Sequence, residues 1–119
     1  MPTILEAASI RPPALWGDGK PVPPAPGHSL MPLFAHEGAV THDSQGWHHE
    51  GNRALRVGNW KIVAAGKESE WELYDLTSDR SETRNLAQAE PERVNELATI
   101  WNRQNEEYTT LATKDLPKE

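Results

Sequence analysis

A chain of 119 residues with a formal net charge of -6 and 36% hydrophobic residues allows one small domain with a modest core, and offers no positive field for phosphate backbones or anionic lipids. It has no cysteine, which excludes disulfide staples, thiolate catalysis and Cys-ligated zinc. No stretch approaches the run of about 18 apolar residues that a membrane span needs, and the start lacks a basic region followed by an apolar one, so a soluble, unprocessed chain of undetermined compartment is expected, with neither nucleic acid nor membrane as partner.

Residues 1–33 hold eight of the ten prolines and read as a rigid, extended connector. The connector opens with a short helix over Pro2–Ser9, in which Ile4, Leu5 and Ala8 share a face with nothing upstream to bury it. Residues 34–119 read as a sheet-plus-helix subdomain. A strand is expected around Phe34–Thr41. Next come Arg53–Val57, the pair Gly58-Asn59, and Trp60–Ala64, a hairpin with a favoured two-residue turn. Its register sets Val57 opposite Trp60 and Leu55 opposite Ile62 on one apolar face, with Arg56 and Lys61 on the other. Gly66 turns the chain into a further strand over Glu70–Leu76.

One long helix is expected from Pro91 to Leu111, with Pro91 in its first turn and Glu92 at the positive end of its dipole. Val94, Leu97, Ala98, Trp101, Tyr108, Leu111 and Ala112 form a stripe that suits one face of a sheet, and Trp60, Trp71 and Trp101 are expected to be buried between sheet and helix. The tail after Thr113 is expected to fray. The fold class is therefore α+β: a small antiparallel sheet of three to four strands packed against one C-terminal helix, preceded by a Pro-rich segment.

Chemistry is sparse. All five histidines lie between His28 and His49. His48-His49-Glu50 is the densest cluster, but adjacent histidines on a strand point to opposite faces and no His-Glu-x-x-His spacing occurs. Ser29, Ser44 and Ser69 sit in no nucleophile turn. Gly17-Asp18-Gly19-Lys20 precedes a proline run rather than a helix, so it cradles no phosphate. The acidic stretch Asp75–Glu82 lacks the glycine and ligand pattern of an EF-hand and reads as a turn-rich connection.

Several motifs in order nevertheless resemble one family. His49-Glu50-Gly51-Asn52-Arg53-Ala54-Leu55-Arg56 followed by Gly58-Asn59-Trp60-Lys61-Ile62-Val63 resembles the late segment of arylsulfatase-like sulfatases, where a Glu-His-Glu-Gly-Asn-Arg-Ala-type strand leads into Gly-x-Trp-Lys-Leu-Val. Trp71-Glu72-Leu73-Tyr74-Asp75-Leu76 with Asp79, Glu82, Asn85, Leu86 and Ala87 resembles the closing strand and loop of that family. Pro91-Glu92-Arg93-Val94 resembles the start of its last helix. Upstream, Met1-Pro2-Thr3-Ile4-Leu5-Glu6 and Gly27-His28-Ser29-Leu30 resemble its Met-Pro-Thr-Leu-Leu-Glu helix and its Gly-x-Ser-Leu segment.

The resemblance implies the C-terminal subdomain of a sulfate-ester hydrolase of the alkaline-phosphatase-like superfamily. Such enzymes use a formylglycine, made from a Cys/Ser-x-Pro/Ala-x-Arg motif, together with calcium; no serine here starts that motif, so both are expected in a catalytic domain outside this chain. No catalytic or metal-binding residue is expected here. The resemblance implies instead an edge of the substrate pocket formed by His49, Glu50 and Asn52; His48 stands where the family often has Glu. The expected partner is a sulfatase catalytic domain, in the same chain or separate, or a second copy bound through residues 1–34. The alternatives are a stand-alone binding or structural module derived from a sulfatase, and a piece of a related phosphonate monoester hydrolase.

Overall fold

A computed structural model describes residues 1–22 and 27–114, so the middle of the proline run and the tail expected to fray after Thr113, apart from Lys114, lie outside the described residues. The chain forms two compact units, Met1–Asp43 and Ser44–Glu119.

Within the first unit, helix α1 spans Pro2–Ala7 and helix α2 spans Met31–Ala35, each with a proline in its first turn, where a missing N–H costs nothing. The Thr3 hydroxyl accepts a hydrogen bond from the Leu30 amide at 2.9 Å and ties the two together. An isolated bridge between Leu15 and Pro21 closes the Asp18-Gly19 turn, and the Asp18 carboxylate accepts from the Lys20 amide. None of this provides a core: Ile4, Leu15, Trp16 and Phe34 are all exposed, Phe34 by 74%.

The second unit is a four-stranded antiparallel meander in the order β1-β2-β3-β4, crossed by one helix. Its strands are β1 (Ser44–His49), β2 (Asn52–Val57), β3 (Trp60–Ala64) and β4 (Glu72–Asp75), and helix α3 is Pro91–Thr113. The strand expected around Phe34–Thr41 is not there. Its first residues, Phe34 and Ala35, belong to helix α2 instead, and the additional strand forms at Ser44–His49, a polar edge strand whose apolar alternation is too weak to announce it.

The central hairpin has the register that alternation demands, with Leu55 opposite Ile62 and Val57 opposite Trp60. Gly58 has φ 58°, as the first central residue of a type II′ turn must. Leu55, Ile62 and Leu73 are fully buried and join Leu97 and Trp101 of α3 in one core cluster. Burying each such side chain contributes about 1.5 to 3 kcal/mol.

Helix α3 is also tied to the edge strand by polar contacts. The Trp101 indole N–H donates to the Trp47 carbonyl at 3.1 Å, and the Gln104 amide donates to the Ser44 hydroxyl at 2.6 Å. Two expectations about the packing of helix on sheet need correction. Tyr108 and Leu111 are exposed, because a helix of 23 residues is about 35 Å long and overruns strands of about 20 Å. Trp60 and Trp71 are only half-buried: one sits beside the β2–β3 turn under the Arg93 guanidinium, the other just before β4, edge-on to Trp101.

The β4 edge is closed by the loop that follows it. The Asn85 side chain accepts from the Leu73 and Ala87 amides, and the Leu86 amide donates to the Leu73 carbonyl. That loop therefore satisfies an edge that would otherwise present free backbone groups to solvent.

Candidate functional site

Residues His49, Glu50 and Asn52 come together at the tip of the β1–β2 hairpin, where His49 pairs with Asn52 across the turn Glu50-Gly51. Both turn residues have positive φ, 50° at Glu50 and 85° at Gly51, as a type I′ turn requires. Glycine adopts that region freely, whereas a glutamate there carries a backbone cost of about 1 kcal/mol.

The tip is braced from behind. The Asn52 side-chain oxygen accepts from the Gly66 amide at 2.9 Å, and a Cβ on Gly51 would come within 3.2 Å of the Lys67 nitrogen. Arg53 completes the brace. Its guanidinium donates to the carbonyls of Lys67 and Ser69 while stacking 4.8 Å from the Trp71 ring. Asn52 is thus committed to structure through its oxygen, while His49 and Glu50 project into solvent with side chains 83% and 81% exposed and 3.9 Å apart. This pair can offer hydrogen bonds and charge to a neighbouring group. His48 faces the opposite way from His49: its ring lies edge-on to Trp101 and bonds the Asn105 side chain at 2.9 Å.

Calcium does not fit the described residues. Among them, no group of three His, Cys, Asp or Glu side chains could hold a metal. The two aspartates of the acidic stretch Asp75–Glu82 have their carboxylates engaged with backbone amides of their own loop, while Glu82 pairs with Lys61. Asp75 accepts from the Thr77 amide, and Asp79 accepts from the amides of Thr83 and Arg84. These bonds, led by Thr77 for Asp75 and by Arg84 for Asp79, hold both carboxyls below the usual aspartate range. Tyr74 moves the other way: its hydroxyl donates to Glu72, and this bond, with burial, pushes it up to about 12.

Reading by residue type missed the clamp made by Arg53 and a basic cleft on the far side of the sheet. The signal for both was parity: Arg53 lies on the helix-facing side of β2, Arg56 on the other. Among the described residues, no helix is long and apolar enough to cross a membrane.

No family model matches the chain. A curated relative, an uncharacterized sulfatase of Schizosaccharomyces pombe, is 40% identical over 106 residues, covering 85% of this chain and 19% of the relative. Among solved structures, a 2-O GAG sulfatase aligns over 96% of this chain and 24% of its own, with TM-score 0.55 and 26% identity. A protein solved in complex with its substrate D-glucosamine-2-N,6-O-disulfate aligns over 92% of this chain and 23% of its own, with TM-score 0.61 and 20% identity. The chain therefore spans about a fifth of the curated relative it matches.

Proposed function

We infer function from the family: the chain belongs to the sulfatases, as a C-terminal subdomain, and we propose that it completes the fold of a sulfate-ester hydrolase without carrying the chemistry itself. The observation that carries this reading is one of proportion, since 40% identity runs over 85% of this chain yet takes in only 19% of the relative. The sequence has no Cys/Ser-x-Pro/Ala-x-Arg segment from which a formylglycine could be made. Nucleophile, calcium and the positive charge that stabilises a departing sulfate then belong to a catalytic domain.

In this reading residues 1–33 are the connector, and the subdomain over residues 34–119 lends the β1–β2 hairpin tip to one wall of the substrate pocket. His49 and Glu50 face the substrate while Asn52 holds the tip in place. Glu50 keeps a positive φ in a turn that glycine or asparagine would form with less strain, a cost that a ligand-facing role would account for. The partner is the catalytic domain, in the same polypeptide or supplied separately. The exposed apolar side chains Ile4, Leu15, Trp16 and Phe34 are the surface it would cover; without it, residues 1–34 would lead copies of the chain to self-associate.

The test is hydrolysis of 4-nitrophenyl sulfate by the purified chain, with and without calcium. No turnover above background is expected. Calcium-dependent turnover that copurifies with this polypeptide and is absent from mock preparations of the host would overturn the proposal.

A further inference from the structure

The face of the sheet turned away from α3 carries a cleft of about 350 Å³ lined by Trp47, Arg56, Asn59, Lys61, Arg80 and Glu82. We propose that this cleft binds a single sugar ring bearing one anionic group, a sulfate ester or a carboxylate. The proposal is independent of the pocket-wall reading. The cleft gathers around the Gly58-Asn59 turn and the exit of β4, joined where the Leu76 amide donates to the Asn59 carbonyl, and this is the end of β2 opposite the Glu50-Gly51 tip.

Strand register builds the site. Arg56 and Lys61 stand directly across from each other on β2 and β3, so both long cations rise from one row of the exposed face. Lys61 is fixed by Glu82, Nζ to Oε1 2.6 Å, and its charge is matched there. Arg56 is anchored through Nε, which donates to the Gly58 carbonyl at 2.8 Å, leaving the two terminal nitrogens of its fork to bind elsewhere. Arg80 makes no ion pair among the described residues. The lining thus holds two arginines in excess of its matched Lys–Glu pair, on a chain whose net charge is -6. Such a local reversal of sign is complementary to an anion, and two guanidinium forks suit a planar or tetrahedral oxyanion.

The remaining wall decides what else the ligand carries. Trp47 is 45% exposed on the edge strand, a large apolar surface left beside the arginines. An indole face packs against the C–H face of a pyranose, and a cleft of this size is in the range of small-ligand sites and far larger than one ion needs. A bare anion would leave the indole unused, and a neutral sugar would leave the arginines unused.

The experiment is a heteronuclear NMR titration of the whole chain with glucose 6-sulfate, glucuronate, glucose and inorganic sulfate in parallel. Saturable shifts of the Trp47 indole N–H and the Asn59 amide are expected with at least one of the two anionic sugars, and which of them binds tighter identifies the anionic group. Glucose and sulfate should each bind at least about ten-fold more weakly. Arg56→Ala with Arg80→Ala should weaken the anionic sugar by about ten-fold or more, with the β2–β3 amide shifts unchanged as evidence of an intact fold. Trp47→Ala should weaken the sugar and leave sulfate unaffected. The proposal is overturned if neither anionic sugar saturates, if sulfate binds as tightly as the sugars, if the double arginine variant binds like the wild type, or if a Glu-rich hexapeptide binds more tightly than either sugar.

Discussion

Glu50 occupies the left-handed region in a turn that asparagine or glycine would form with less strain. If its side chain serves a ligand, the chain retains a stability cost there, and removing it should be favourable to folding alone. Glu50→Asn is expected to raise the stability of the isolated chain by about 0.5 to 1 kcal/mol in denaturant melts. A loss of stability would show that the glutamate side chain braces the hairpin and would remove the reason for placing it at a pocket edge.

Asp79 answers to a different variable. Backbone amides of Arg84 and Thr83 hold its carboxyl below the usual range, so the bonds contribute stability above the ordinary aspartate pKa near 3.9, and that contribution is lost as pH falls through the lower folded value. The amides of Thr83 and Arg84 should therefore lose hydrogen-exchange protection on acidification below about pH 4, ahead of the β2–β3 hairpin. In Asp79→Asn they should be weakly protected at every pH. Protection in the wild type that does not respond to acid would mean that the carboxylate does not organise this loop. Tyr74 has the opposite sign: with its hydroxyl pushed up to about 12, the stability it lends is full below its ordinary pKa near 10 and is lost as pH climbs toward 12.

Among the elements, the β2–β3 hairpin and α3 are the parts that sequence periodicity discloses. Leu55, Val57, Trp60 and Ile62 alternate cleanly, and Val94, Leu97, Ala98 and Trp101 return every three or four residues, so both signals survive without tertiary help. Strand β1 does not disclose itself. Its inward residues are Ser44, Gly46 and His48, its single large apolar residue faces outward, and it pairs only because β2 offers a free edge. Helix α2, five residues long, is shorter than any periodic window. The candidate site was legible in the same uneven way: the motif gave His49, Glu50 and Asn52 a place, while the brace behind them required knowing that the Gly66 loop folds back onto the hairpin.

Element packing also separates two apolar positions on one helix. Trp101 is 7% exposed and touches both the core and the β1 carbonyl, whereas Leu111 lies beyond the sheet. Trp101→Ala should cost about 3 to 5 kcal/mol, and Leu111→Ala should stay within about 0.5 kcal/mol. Equal losses at the two sites, measured by denaturant unfolding, would mean that α3 docks along its whole length.

At the scale of the whole molecule the two units differ in what holds them. The second has a buried cluster, a continuous sheet and a helix tied to its edge. The first has, among its described residues, two short helices, one bridge and a set of exposed apolar side chains. Helices of six and five residues are too short to persist by themselves in water. If the chain completes a larger enzyme, as proposed, the first unit would take its stability from that enzyme's other parts; the chain spans about a fifth of its curated relative.

Hydrogen exchange on the isolated, monomeric chain tests that claim most directly. The amides of residues 1–22 and 27–33 are predicted to exchange at close to unprotected rates, while those of β2, β3 and the first half of α3 stay protected. Protection of the first unit as strong as that of the hairpin would contradict the account, because the chain would then stabilise all of its parts without a catalytic domain.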